Sequence, residues 1–215
     1  MNAPAKPLTV WTNPPRRSGL AWAAANAARC LGLVWTFVLT KFISLLGALS
    51  TPGMKPVGRL QAWALRRMGV KCPSSQVWVG PHVYFDYPQN LELGHRVTIG
   101  PESRLTARSA LVIGDDFLAA PGLMINTGTH DPTTLVPQSA PVIIGPGVWC
   151  GARVTIGAGV TIGAGAVIGG GSLVLRDLPP WHLAFGVPCK PQRALPEVST
   201  STRWSNFPAH PEASA

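Results

Sequence analysis

The stretch IGPGVW-CGARVT-IGAGVT-IGAGAV-IGGGSL, residues 144–173, carries an inward-type residue every six positions, at Ile144, Cys150, Ile156, Ile162 and Ile168, and the series runs on to Val174. A short period held this long is the signature of a parallel β-helix, in which each block is one brief strand and a turn. The recurring side chain points inward and stacks on its counterpart about 4.8 Å away in the next coil. Glycine follows it at the corner, where a Cβ would collide.

The register continues upstream through Leu93, Ile99 and Leu105, and again through Ile113, Ala119 and Ile125. Three hexads close one triangular coil. Extra residue pairs stand before the hydrophobic-Gly steps: Leu91-Glu92, Leu111-Val112 and Val142-Ile143. Leu91 and Leu111 are twenty apart, eighteen plus two, whereas Leu111 and Val142 are thirty-one apart. The eleven surplus residues must leave the prism as a loop, and they fall between His130 and Val142. The expected fold is therefore mainly β. Residues 1–75 form a basic, partly hydrophobic helical segment, 76–180 the β-helix with its protruding loop at 130–142, and 181–215 a C-terminal extension.

Composition agrees with many short strands cut by turns: Gly 23 and Pro 22 in 215 residues, with 46% hydrophobic. The length suits one buried core with terminal additions. The net charge of +9 is unevenly spread. Residues 1–85 hold ten basic side chains (Lys6, Arg16, Arg17, Arg29, Lys41, Lys55, Arg59, Arg66, Arg67, Lys71) and no acidic one, against eight basic and nine acidic from Asp86 onward. Such an asymmetry fits a solvated basic segment or one that meets an anionic surface or substrate. It does not read as nucleic-acid binding, because the cations are not interleaved with aromatics in the manner of RNA- or DNA-binding modules. Cys30, Cys72, Cys150 and Cys189 lie far apart, with no His at zinc-ligand spacing, so neither a metal nor a disulfide framework is expected.

Leu31 to Ser50 is a twenty-residue run with one charge, Lys41, long enough to span a bilayer core. Leu31, Val34, Trp35, Val38, Phe42, Leu45, Leu46 and Leu49 recur at three- and four-residue steps, while Gly32, Thr36, Thr40 and Ser44 fall largely elsewhere, the pattern of an amphipathic helix. Three readings stay open. The helix packs on the protein or its oligomer, lies on a membrane, or is a spanning or cleaved segment, for which thirty preceding residues make an awkward leader. Arg59 to Met68 reads as a second short helix.

A loop thrown from a rigid repeat is where function is usually carried. This one opens on Thr129-His130-Asp131. A neutral imidazole there can take a proton from an alcohol, and Asp131 is the neighbouring carboxylate expected to orient it.

Residues 83–195 resemble the hexapeptide-repeat acyltransferases of the maltose and galactoside acetyltransferase type, and among them the colanic acid biosynthesis acetyltransferases. The matching pieces are YFDYPQNLELG, NTGTHD, APVIIGPGVWCGARVTIGAGVTIG and LPPWHLAFGVPCKPQRAL. The resemblance implies a left-handed β-helix, against the general right-handed rule for parallel crossovers. It also implies a homotrimer with active sites between neighbouring prisms, acetyl-CoA as co-substrate, and a cytoplasmic protein. His130 takes the position of the catalytic base. Trp149, Ala152, Gly170, Arg176, Lys190 and Arg193 take the acetyl-CoA positions, the three cations facing its phosphates. Asp86, Tyr87 and Asn126 are the polar candidates for the acceptor. Where galactoside-type enzymes carry Asn and Asp, this chain has Glu102, Arg104 and Arg108, which argues against a simple galactoside. A lipid-linked or nascent polysaccharide sugar at the inner membrane face is the expected acceptor, with peripheral membrane contact through the N-terminal segment.

Two rivals differ in class. A carbonic anhydrase on this architecture needs three zinc-binding histidines, and His82, His95, His130, His182 and His210 lack that spacing. A non-catalytic scaffold polymerising through its coils would have no use for a His at the single long loop. A small non-sugar acceptor is a third alternative, within the acyltransferase class.

Overall fold

Each residue of the six-position series turns inward in the computed structural model, which describes residues 9–10, 20–50 and 54–199. Leu93, Ile99, Leu105, Ile113, Ala119, Ile125, Ile144, Cys150, Ile156, Ile162, Ile168 and Val174 are all buried. Each large aliphatic removed from water contributes about 1.5–3 kcal/mol, so this ladder is the main source of cohesion. Lys6, Arg16, Arg17, His210 and residues 200–215, together with the side chains of Arg29 and Cys30, lie outside the described residues.

The strands form three parallel faces. The first stacks Val77–Val79, Val97–Ile99, Leu118–Ala119, Trp149–Cys150, Val167–Ile168 and His182–Gly186. The second stacks Tyr84–Asp86, Arg104–Thr106, Met124–Asn126, Thr155–Ile156 and Leu173–Val174. The third stacks Leu91–Leu93, Leu111–Ile113, Val142–Ile144 and Thr161–Ile162. The extra pairs seen in the sequence share one register on this third face, Leu91 beside Leu111 beside Val142, and Glu92 beside Val112 beside Ile143. Strand Cys189–Ala194 folds back antiparallel on His182–Gly186 and closes that end of the first face.

The expected protrusion at 130–142 is a β-hairpin that begins two residues earlier. Gly128–His130 pairs antiparallel with Pro137–Ser139, and Thr9–Val10 adds a third strand along Pro137–Ser139. That third strand has no sequence signal of its own.

Two helices cover the other end of the prism. The second runs Lys55–Arg67, four residues ahead of the expected start at Arg59, with Pro56 in the first turn, where its missing N–H costs nothing. Its Gln61 is fully buried and ties three elements together. The side-chain amide donates to Val79 O (2.7 Å) and Ile43 O (3.2 Å), and its carbonyl accepts Val79 N–H (3.0 Å).

The first helix, Leu20–Ala48, corrects the sequence reading of which face packs. The buried stripe is Leu39, Thr40, Ile43 and Gly47, and Leu31, Val34, Trp35, Val38, Leu45 and Leu49 from the apolar stripe are exposed. The reason is close approach. A Cβ at Gly47 would come within 2.3 Å of Val79 O, so only the side that carries Gly47 can lie this near the first strand. Leu33 and Phe37 are exposed as well, so the stretch 31–38 presents apolar side chains all round.

Candidate active site

The hairpin leaves the edge between the second and third faces, and its base is pinned by one hydroxyl. Thr127 is fully buried; its Oγ1 accepts Ser109 N–H at 2.8 Å, and its carbonyl accepts Ala140 N–H at 2.9 Å. His130 follows three residues later with its imidazole exposed. It lines a groove of about 810 Å³ along the second face, shared with Asp86, Tyr87, Arg104, Thr106, Arg108, Met124, Asn126 and Pro137.

Register explains why these residues meet. Asp86, Thr106 and Asn126 stand at equivalent outward positions on three successive coils, and Tyr84, Arg104 and Met124 form the adjoining row. Asp86 Oδ2 accepts Arg104 Nε (3.1 Å), Arg104 Nη2 (2.9 Å) and Thr106 Oγ1 (3.0 Å), which fixes its carboxylate. Asn126 Oδ1 accepts Gly128 N–H at 2.9 Å, and its amide nitrogen donates to no acceptor among the described residues. The structure thus brings Asp86, Tyr87 and Asn126 to His130. It adds Arg104, Thr106 and Arg108, which the twenty-residue coil spacing from Asp86 and Asn126 already encodes in part.

Asp131 does something else. Its Oδ1 accepts Thr133 N–H (2.9 Å), Thr134 N–H (2.8 Å) and Thr134 Oγ1 (3.0 Å). The Thr134 and Thr133 donors hold its carboxyl below the usual carboxylate value. Asp131 builds the hairpin tip through Oδ1, and among the described residues no hydrogen bond joins its carboxylate to the imidazole.

The six acetyl-CoA candidates lie elsewhere on the single chain. None lines the His130 groove. Ala152 and Gly170 are exposed on the edge between the first and second faces, where successive coils carry Pro81, Pro101, Pro121, Ala152 and Gly170 at one position; the ladder along it includes Glu102 N–H to Pro81 O (3.0 Å) and Gly171 N–H to Ala152 O (2.8 Å). The three prolines have no N–H to offer. Ala152 and Gly170 have one each, and these donate to no protein acceptor among the described residues. A Cβ at Gly170 would lie 3.1 Å from Ala152 O, so the edge is small as well as rich in donors. Trp149 is half exposed on the first face between Leu118 and Val167. Lys190 and Arg193 extend that face on the closing strand, and Arg176 stands on the second-to-third edge of the last coil. Among the described residues no group of three or more His, Cys, Asp or Glu side chains is arranged to hold a metal. Cys150 and Cys189 are buried, and burial raises both thiols well above their ordinary value.

The family described as bacterial transferase hexapeptide (six repeats) matches residues 141–176. The galactoside O-acetyltransferase of Escherichia coli (strain K12) is 37% identical over 123 residues, 55% of this chain and 61% of that protein. The chain thus spans less than two thirds of that relative. The "Putative acetyltransferase C18B11.09c" of Schizosaccharomyces pombe (strain 972 / ATCC 24843) is 30% identical over 163 residues, 74% of this chain and 79% of that protein. Among solved structures, a galactoside acetyltransferase in complex with coenzyme A superposes with a TM-score of 0.59 at 29% identity, covering 77% of this chain and 83% of that one.

Proposed function

Because this chain belongs to the family of hexapeptide-repeat acetyltransferases, we propose that it moves an acetyl group from acetyl-CoA to a hydroxyl of a sugar in the synthesis of an exopolysaccharide or other cell-envelope glycan. The observation that carries this reading is His130, exposed at the end of the outgoing strand of the hairpin that interrupts the coils, opposite Pro137, where it lines a polar groove. His130 takes the hydroxyl proton as the oxygen attacks the thioester carbonyl. The C–O bond forms, the tetrahedral intermediate collapses, the C–S bond breaks, and the CoA thiolate recovers the proton from the imidazolium. General-base help of this kind is worth about 10²–10⁴-fold, and alignment of the two substrates supplies much of the remainder.

The groove holds polar groups suited to an acceptor, while the small donor edge at Ala152 and Gly170 suits the amides of a pantetheine arm. These halves are separate on one chain, which supports a homotrimer whose neighbouring prisms complete each site. Labelled acetyl-CoA incubated with candidate glycans tests the reading: transfer should require His130. Equal transfer by His130→Ala would overturn it.

The same reading sets the protein at the cytoplasmic face of a membrane. Its support is the first helix: the span Leu31–Ala48 is long and apolar enough to cross a membrane, and Leu31, Leu33, Val34, Trp35, Phe37 and Val38 within it are exposed. The accompanying charge is basic throughout residues 1–85. Apolar insertion and attraction to anionic headgroups act together in such segments. Flotation of the full chain with anionic vesicles, and none after deletion of residues 1–38, is the expected result; no flotation of the intact chain would overturn it.

A further inference from the structure

Three side chains with fixed charge line the groove beside His130: Asp86, Arg104 and Arg108. Asp86 and Arg104 neutralise each other through the contacts given above. Arg108 is in none of the described ion pairs, which join Lys71 to Glu92, Arg96 to Asp116 and Arg104 to Asp86. Among the described residues, one uncompensated positive charge is therefore left in the groove that the proposed base also lines.

Arg108 is nevertheless held. Asn90 Nδ2 donates to Ala107 O at 2.9 Å and to Arg108 O at 3.3 Å, anchoring its backbone from the coil before. The side-chain stem crosses the hairpin root at Gly128, where a Cβ would sit 2.5 Å from Arg108 Cδ. The guanidinium then lies over the Tyr87 ring, its carbon 5.3 Å from the centroid. A ring face positions a cation without cancelling its charge. A glycine that admits the stem, an amide that fixes the backbone and a ring under the guanidinium together keep its donor fork in the groove, and such a fork matches a carboxylate or phosphate.

We propose that the acceptor is an acidic sugar, bound through its carboxylate or phosphate by Arg108 so that a neighbouring hydroxyl faces His130. This rests on the acetyl-transfer reading for the hydroxyl, but the anion site is measurable without turnover.

The experiment titrates the full chain with methyl β-D-glucuronide, glucose 1-phosphate and methyl β-D-glucoside by calorimetry, in wild type and in Arg108→Gln. At least one anionic sugar should bind about tenfold or more tightly than the neutral glucoside, the range of a charge-assisted contact. Arg108→Gln should remove that preference. The carboxylate and phosphate arms identify which group is read. No anionic preference in wild type, or a preference that survives Arg108→Gln, would overturn the proposal. Acetyl transfer to the same three sugars separates the two readings. Anion-selective binding lost in Arg108→Gln, without any transfer, leaves the anion site standing and sinks acetyl transfer. Transfer to the glucoside with a kcat/KM equal to that for both acids does the reverse.

Discussion

Asp86 and Arg104 stand one coil apart on the second face, and a single carboxylate oxygen of Asp86 accepts both Nε (3.1 Å) and Nη2 (2.9 Å) of the guanidinium. The side chains keep 37% and 58% of their exposure, so solvent screens the pair and its value is positional. Asp86→Ala should lower stability by less than about 1 kcal/mol. The same change should raise the acceptor KM several-fold and leave the acetyl-CoA KM unmoved, as steady-state kinetics with each substrate varied would show.

His130→Ala should reduce kcat by about 10²–10⁴-fold. The imidazole is exposed and, among the described residues, no side-chain hydrogen bond ties it to the prism, so the melting curve should superpose on that of wild type. A matched fall in Tm would mean a structural role.

Asp131 separates turn-building from base-orienting. Its folded carboxyl is held below the unfolded value by Thr134 and Thr133, so its contribution to the hairpin tip is present above the unfolded value and is lost as pH falls through the folded one. The protection of the amides of residues 133–136 against hydrogen exchange, corrected for the intrinsic rate at each pH, should therefore fall only in acid. Asp131→Asn should leave the neutral-pH limb of the rate profile in place. A displaced limb would make Asp131 the partner of His130.

That neither Ala152 nor Gly170 lines the His130 groove predicts complementation between chains. Ala152 is exposed, so Ala152→Trp can obstruct the edge without disturbing the core. His130→Ala and Ala152→Trp should each be inactive. After co-refolding in equal amounts, the mixture should recover about a quarter of wild-type activity, the share of interfaces with both halves intact. No recovery would mean that one chain supplies both.

Gln61→Leu should cost about 2–4 kcal/mol, because it strips partners from the Val79 N–H and carbonyl and from Ile43 O in a region closed to water. Chemical denaturation would measure it. Val79 and Ile43 belong to the prism and the first helix, so the loss should also loosen the helix from the coils.

The prism was legible because a six-residue period has few physical solutions: each aliphatic residue of the series is inside, and the coil-boundary pairs are in register. His130 was legible because the eleven-residue surplus could leave only at one corner. Asp86, Thr106 and Asn126 could have been aligned by the same arithmetic, since coil spacing converts separation along the chain into adjacency on a face.

Sequence alone thus determined the parallel β-helix, the site of its one long interruption and the histidine beside it, all consequences of a backbone repeat that local residue choice enforces. The tertiary structure decided what depends on distances between non-repeating parts. It turned the face of the first helix that carries Gly47 inward, because a Cβ at that position would collide with Val79 O. It gave Asp131 to the hairpin tip, because the Thr133 and Thr134 donors lie closer at hand. It also set Arg108 over Tyr87, where Gly128 leaves room for its stem and, among the described residues, no carboxylate cancels its charge.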